Sequence, residues 1–170
     1  MTLPAPSVRL LICGAADRGD DGAALTAIAR LLPTLGPATL GRLEVRRCLQ
    51  LDPLDLIDVA PDQSCLVIDT VLGIEPGSVI AIPLQDISSG HSALAPRSSH
   101  ALPIEQVLGI AAAIRGTLPA GTFVGIGGKW FGFGARHSRA VTAGLGDLQA
   151  TVKAELDNLL SAGVPVQARA

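Results

Sequence analysis

Apolar residues form two kinds of pattern along this chain. Short continuous apolar runs, typical of strands buried on both faces, alternate with longer segments in which apolar residues recur at helical spacing. The first run, Val8 to Cys13, is followed by a polar turn and then by apolar residues at helical spacing that stop at Pro33. The chain is therefore predicted to begin with a strand, a loop and a helix, and the acidic pair Asp20-Asp21 lies where that helix begins.

The remaining pattern predicts four more strands and three more helices. The predicted strands are residues 43–48, 65–69, 79–83 and 122–126, and the predicted helices begin near Pro53, Pro103 and Ser138. The strand at 79–83 follows its predecessor too closely for a helical crossover, which favours antiparallel pairing. This order of elements predicts a three-layer α/β fold, in which a mainly parallel twisted sheet of about five strands carries helices on both faces.

The same spacing predicts finer features of the helices and loops. Leu54, Leu102 and Ile114 are predicted to be among the residues that face the core. Residues 85–99 are predicted to form a surface loop, and residues 127–134, G-G-K-W-F-G-F-G, a glycine-aromatic loop. That loop contains three of the four aromatic residues of the chain, which either present a peptide-docking surface or pack over the core.

Length and composition favour a single domain. The chain has 170 residues, of which 48% are hydrophobic, and this is enough to bury a sizeable core. Residues 1–162 are predicted to form one α/β domain, and residues 163–170 are predicted to form a disordered tail.

Charge, cysteine usage and the first residues indicate the cellular context. A formal net charge of −2 argues against a nucleic-acid or anionic-membrane partner. The N-terminal residues lack the features of a secretion signal, and no apolar stretch has the length of a membrane helix. Cys13, Cys48 and Cys65 contain no C-x-x-C pair and are predicted to be buried thiols in a reducing compartment. A cytoplasmic protein is therefore expected.

Ionisable side chains follow or precede three of the predicted elements. Asp20 and Asp21 follow the first strand, Asp69 ends the third, and His100 precedes the helix near Pro103. Because ligands in open α/β sheets bind beyond the carboxyl ends of the strands, these side chains are expected at one edge of the sheet. Two carboxylates and an imidazole suit a divalent metal such as Zn²⁺ or Ni²⁺. The alternative is structural, with the acids and the histidine only capping helices or bonding loop amides.

Other kinds of site are disfavoured. The first turn, G-A-A-D-R-G, lacks the middle glycine of G-x-G-x-x-G and has an acid where a pyrophosphate would bind. No Walker A lysine motif and no G-x-S-x-G elbow occur. The chain is therefore predicted to bind no nucleotide. His91 and His137 lie in polar segments and are predicted to be exposed to solvent.

Several motifs, in order along nearly the whole chain, resemble those of the [NiFe]-hydrogenase maturation endopeptidases. R-G-D-D-G resembles the end of that family's G-N-x-L-x-G-D-D-G-x-G, and Q-L-D-P-L-D-L resembles the Q-L-T-P-E-L of one branch. V-I-D-T resembles the family's strand-end acid, and S-S-H-A-L-P its S-x-H-x-L-S histidine. V-G-I-G-G-K-W-F-G-F-G resembles V-G-G-x-S-F-x-F-G of the same branch.

The resemblance implies an endopeptidase that clips a C-terminal extension from the precursor of a [NiFe]-hydrogenase large subunit after nickel insertion. Carried over by motif, the metal-binding residues are Asp21, Asp69 and His100, and Asp21 is also the candidate catalytic carboxylate. These residues would recognise nickel that the substrate supplies, while Asp20 would cap the helix.

Four positions depart from the family pattern. Ala15 stands where the family has asparagine, Asp17 where it has an apolar residue, Ala24 where it has glycine, and Lys129 where it commonly has glutamate. Ala15 and Lys129 support an alternative, a non-catalytic chaperone that binds the metal or the peptide on the same fold. A third hypothesis is a hydrolase of another substrate that does not respond to nickel.

Overall fold

The computed structural model describes residues 6–88, 94, 102–134 and 136–162, and these form a three-layer α/β fold. The strands are β1 (Val8–Cys13), β2 (Leu43–Cys48), β3 (Ser64–Val71), β4 (Val79–Pro83) and β5 (Gly121–Gly127). The helices are α1 (Ala23–Leu31), α2 (Pro37–Leu40), α3 (Pro53–Ile57), α4 (Leu84–Ser88), α5 (Ile104–Arg115) and α6 (Arg139–Ala162). Single 3-10 turns precede and follow α1, at Gly19–Gly22 and Leu32–Thr34.

The five strands form one sheet in the order β2-β1-β3-β5-β4. All neighbouring strands are parallel except β4, which pairs antiparallel with β5 as its short connection predicts. From β1 the chain crosses first to β2 on one side and then to β3 on the other. The direction of winding therefore reverses between β1 and β3, and the crevice at their carboxyl ends is the expected ligand site of such a sheet.

Both faces of the sheet are covered by helices. On β1, Leu10 and Ile12 pack into a core with residues of α1 and α6, while Leu11 packs into a second core with residues of α3, α4 and α5. This alternation explains why the first strand reads as a continuous apolar run. The predicted fold class, a mainly parallel five-stranded sheet between two helical layers, is confirmed.

The edge strand β2 carries the charged residues that its alternating pattern indicates. Arg9 of β1, although almost fully buried, donates from Nε to the Glu44 carboxylate at 3.0 Å and also pairs with Asp58. A buried guanidinium needs such partners, since an unpaired charge in the core is costly. Glu44 of the edge strand and Asp58 at the end of α3 thus compensate the charge of an arginine within β1.

Some predicted inward positions are wrong. Leu54, Leu102 and Ile114 are 71%, 50% and 65% exposed. The short helix α3 buries Leu56 instead, Leu102 precedes the first residue of α5, and α5 buries only a narrow face of three residues, Val107, Leu108 and Ala111. Part of the predicted loop at 85–99 is also wrong, because α4 buries Ile87.

Several predicted features lie outside the described residues. These are the tail at 163–170, His91 and His100. Within the described part of the chain, no helix is long and apolar enough to cross a membrane.

Two glycines of α6 form a matched pair for testing how tightly this helix packs. A Cβ added to the buried Gly144 would lie 2.2 Å from the carbonyl oxygen of Gly77, whereas one added to the exposed Gly146 would meet nothing within 4 Å. We expect Gly144→Ala to lower the free energy of unfolding by about 1–3 kcal/mol, because backbone must move. Gly146→Ala should raise it by up to about 1 kcal/mol through helix propensity. Urea denaturation measures both; stabilisation by both substitutions would contradict the packing described.

Candidate active site

The turn after β1 brings two carboxylates to the carboxyl edge of the sheet. Asp20 and Asp21 lie in the 3-10 turn that leads into α1, and their exposed fractions are 0% and 8%. Gly19, just before them, has a φ of +54°, and a Cβ there would lie 2.5 Å from the Trp130 ring. The glycine of R-G-D-D-G is therefore required both by its backbone conformation and by the approach of the glycine-aromatic loop.

Asp20 holds together segments that are far apart in the chain. Its Oδ2 accepts hydrogen bonds from the backbone N–H groups of Lys129 and Trp130, both at 2.8 Å, and its Oδ1 accepts one from Ser138 N–H at 2.6 Å. The expectation that Asp20 caps the helix after it is therefore wrong. Asp20 instead fixes the glycine-aromatic loop and the residue before α6, where Ser138 acts as the predicted cap by accepting from Val141 N–H.

The pKa of Asp20 reflects this setting. Burial alone would raise it, but the backbone N–H groups of Ser138, Lys129 and Trp130 outweigh burial and hold the pKa of Asp20 below its ordinary value. The carboxylate is therefore ionised wherever ordinary aspartates are, and within the part of the chain that the structure describes its charge is compensated by oriented amides.

Backbone hydrogen bonds add to the junction that Asp20 forms between the turn after β1, the glycine-aromatic loop and the start of α6. Asp20 N–H donates to the carbonyl of Trp130 at 2.8 Å, and Gly19 N–H donates to that of Gly134 at 2.7 Å. Thr70 of β3 donates from Oγ1 to the carbonyl of Asp20 at 2.8 Å. The turn after β1, the end of β3 and the loop after β5 thus form one hydrogen-bonded unit.

His137 belongs to this unit and is half-buried, so the prediction that it is exposed to solvent is wrong. Its Nδ1 lies 2.9 Å from the carbonyl oxygen of Gly19, and its Nε2 lies 2.9 Å from Oγ1 of Thr26 in α1. Nothing local in its polar segment indicates these partners. The imidazole therefore braces the turn that carries the acids.

Asp21 lies beside Asp20 but faces a different partner. Its Oδ2 accepts a hydrogen bond from Ala15 N–H at 3.0 Å, directly after β1. A backbone amide therefore orients this carboxylate at the position where the resemblance expects asparagine. Its role as ligand or catalyst remains a prediction.

Asp69 lies in β3, two residues before the strand ends at Val71, rather than at its end as predicted. Its Oδ1 accepts a hydrogen bond from Thr70 N–H at 2.7 Å. Burial raises the pKa of Asp69 well above the ordinary value, the Thr70 N–H opposes that shift, and Cys48 adds to it. In the absence of a cation, this carboxyl group retains its proton to an unusually high pH.

The structure places Asp21 in the turn that follows β1 and Asp69 two residues before the carboxyl end of the neighbouring strand β3. His100, the third predicted ligand, lies outside the described residues. Within the residues that are described, no three His, Cys, Asp or Glu side chains are arranged to hold a metal ion. The donor set of two carboxylates and an imidazole fits nickel or zinc chemically. The set of Asp21, Asp69 and His100 stays a prediction.

Replacing Asp20 tests how much its carboxylate contributes to the stability of the protein. We expect Asp20→Asn to lower the free energy of unfolding by about 2 kcal/mol or more near neutral pH, because an amide cannot replace an anionic acceptor of three N–H groups. The lowered pKa means that this contribution is complete above pH 3.8 and is lost as pH falls through the folded-state pKa. Denaturation across this range should show the two proteins converging in acid.

The matched control for this experiment is Asp17→Asn, which changes an exposed acid of the same turn. It should leave stability nearly unchanged at every pH. An Asp17 effect as large as that of Asp20, or an Asp20 effect that persists undiminished in acid, would contradict the role assigned to the Asp20 carboxylate.

Solved structures of similar fold give an independent comparison. The hydrogenase maturating endopeptidase HybD from E. coli matches with a TM-score of 0.69 at 17% identity, over 89% of this chain and 92% of that one. The endopeptidase HycI from Escherichia coli matches with a TM-score of 0.63 at 17% identity, over 96% and 99% of the two chains.

The [NiFe] hydrogenase maturation protease HybD from Thermococcus kodakarensis matches with a TM-score of 0.59 at 23% identity, over 86% of this chain and 97% of that one. No protein-family model matches the sequence, and a search of curated proteins found no match. The chain therefore has the fold that these hydrogenase maturation proteases share.

Proposed function

We propose that this protein is an endopeptidase that removes the C-terminal extension of a [NiFe]-hydrogenase large subunit after nickel has been inserted. The observation that carries the proposal is the position of two motif acids. Asp21 of R-G-D-D-G lies in the turn after β1, and Asp69 of V-I-D-T lies near the carboxyl end of β3, where the winding of the sheet reverses. The likeness in fold to the maturation proteases supports the same function.

In this proposal the metal enters with the substrate. Asp21, Asp69 and His100 would bind nickel already seated in the precursor, and this contact would place the scissile peptide bond at the edge of the sheet. Bound there, the ion would polarise a carbonyl as a Lewis acid or serve only to check that nickel is present. Burial raises the pKa of Asp69, and a cation bound beside it would oppose that shift and favour the charged form.

The hydrolytic step needs a base for water and a donor for the leaving amine. Asp21 is the candidate base, since Ala15 N–H fixes its orientation. It would accept a proton from the attacking water as the C–O bond forms, and would return it to the amine as the C–N bond breaks. Asp20 is a positioning residue in this scheme, because its carboxylate oxygens are used by Ser138, Lys129 and Trp130.

The same proposal includes the partner and the compartment of the reaction. The partner is the large-subunit precursor, the reaction takes place in the cytoplasm, and no nucleotide, nucleic acid or membrane takes part.

A non-catalytic chaperone is the second candidate. Ala15 lacks the side-chain amide expected at that position, although its backbone N–H still bonds Asp21, and Lys129 reverses the charge of a commonly acidic position. A protein of this kind would form a stable complex with the precursor and leave its length unchanged. A hydrolase of another substrate would show no response to nickel in the precursor.

Substitutions of the three predicted ligands test the proposal. We expect Asp21→Asn, Asp69→Asn and His100→Ala each to slow processing of nickel-loaded precursor by at least about 100-fold, in line with the loss of a general base or ligand. The readout is the intact mass of the large subunit over time. Asp62→Asn, an exposed acid outside the site, is the matched control and should process normally. Wild-type rates in all three site variants would refute the assignment.

A further inference from the structure

A groove lies between the glycine-aromatic loop and the first turn of α6. Its volume is about 450 Å³, and it is lined by Lys129, Trp130, Ser138, Arg139 and Ala140. This volume falls within the range typical of sites for small ligands and short peptide segments. The same loop is fixed to the turn of the predicted catalytic acid, because Asp20 binds the backbone of Lys129 and Trp130.

The groove combines positive charge with exposed aromatic surface. Neither Lys129 nor Arg139 forms an ion pair with any part of the chain that the structure describes. Trp130 is 55% exposed and Phe133 is 85% exposed. Phe133 belongs to the same loop but not to the groove lining, and Arg18 lies over its ring at 5.6 Å. Exposed aromatic rings beside cations are typical of a binding surface for an acidic, partly apolar segment.

We propose that this groove binds an acidic stretch of the substrate polypeptide. The identification of that polypeptide rests on the proposed function. The charge of the groove favours glutamate and aspartate side chains, and Trp130 favours an apolar residue between them. Asp20 links the groove wall to the turn of Asp21, so the groove and the proposed catalytic acid belong to one hydrogen-bonded unit. The net charge of −2 and the small volume favour a peptide over a nucleic acid.

The single tryptophan of the chain makes a direct test possible. Trp130 lines the groove, so its fluorescence reports on occupancy of this site alone. The probes are a short synthetic peptide of glutamate and leucine, its glutamine counterpart and its lysine counterpart, each titrated into the full chain. We expect only the glutamate peptide to shift the Trp130 emission and saturate, with weaker binding at higher salt.

Two variants test the groove, and each reverses the charge of one cationic residue that lines it. Lys129→Glu and Arg139→Glu should each weaken binding of the glutamate peptide by about tenfold, which corresponds to about 1.4 kcal/mol. The Lys129 backbone N–H, which bonds Asp20, is kept in the first variant. An acid at the start of α6 suits the helix dipole, so the second variant should fold. Arg30→Glu, at the exposed far end of α1, is the matched control and should bind as the wild type does.

Each outcome bears on the proposal. Equal binding of the glutamine peptide, no change in Trp130 emission, or unaltered affinity in both groove variants would overturn it. Tighter binding of a single-stranded oligonucleotide of equal charge would also overturn it and assign the groove to nucleic acid. If the chain binds the glutamate peptide in the groove but leaves the precursor uncut, acidic-peptide binding stands and the protease function fails.

A second, independent observation concerns two cysteines. Cys13 and Cys48 are register partners at the carboxyl ends of β1 and β2, with their Sγ atoms 3.0 Å apart, and neither is in a disulfide. Neighbouring strands lie about 4.7–4.9 Å apart, a separation within the Cα–Cα range of about 4.4–6.8 Å that disulfides accept. Cys48 is half-buried on the edge strand, whereas Cys13 is fully buried.

We infer that Cys13 and Cys48 form a reversible disulfide when a small disulfide such as oxidised glutathione is present. The Cys48 thiolate attacks one glutathione sulfur and releases the first glutathione thiol. Cys13, after losing its proton, attacks Cys48 and releases the second. The two protein thiols are thereby oxidised, and one glutathione disulfide is reduced to two thiols. Cys13 lies two residues before Ala15, whose N–H orients Asp21, so the disulfide would form beside the turn that carries the acids.

Intact mass and peptide mapping test this inference. After treatment with oxidised glutathione, we expect a loss of two hydrogens and a crosslink between Cys13 and Cys48. Cys65 should remain a thiol, since burial raises its pKa to about 12. A reductant should restore the original mass. A stable glutathione adduct on Cys48, or a crosslink to Cys65, would overturn the inference. Cys48→Ser should form no crosslink, and one in that variant would also contradict the pairing.

Discussion

The carboxylate of Asp20 is the interaction on which the carboxyl edge of this protein depends. It is fully buried, it has no cationic partner among its hydrogen bonds, and three backbone N–H groups from two distant segments converge on it. A buried charge is tolerated only with such compensation. This constraint joins the turn after β1, the glycine-aromatic loop and the start of α6. The oxygens of the first acid of the turn, Asp20, are occupied by these N–H groups, and the proposed chemistry is assigned to the second, Asp21.

The surroundings of Asp20 determine the shape of the proposed site. Thr70 connects the junction to β3, and His137 braces it against α1. Asp21 therefore projects from a turn that is fixed on several sides, as a catalytic carboxylate requires. On the outer side of the same junction, Trp130 and Lys129 face the groove that we assign to the substrate. One buried carboxylate thus positions both the turn that carries Asp21 and the wall of the groove.

Local patterns in the sequence were enough to predict the sheet, the antiparallel pairing of β4 and helices on both faces. Continuous apolar runs indicate strands that are buried on both sides. Local patterns were not enough to predict the partners of the Asp20 carboxylate, whose nearest hydrogen-bond donor in sequence, the Lys129 N–H, is 109 residues away. The same holds for His137, which pairs with a carbonyl 118 residues away. Ile114 continues the helical spacing of α5 yet is exposed, since helix geometry does not reveal how wide a face the sheet covers. The Cys13–Cys48 contact depends on strand register, which no single strand encodes.

The central claim is that this edge recognises nickel in a precursor and then cuts the precursor. The most direct measurement is intact mass spectrometry of a [NiFe]-hydrogenase large subunit incubated with the purified chain, in nickel-loaded and nickel-free forms. The account predicts that only the nickel-loaded subunit loses its C-terminal extension. A stable complex with a subunit of unchanged mass would instead identify a binding protein, and equal cleavage of both forms would contradict nickel recognition.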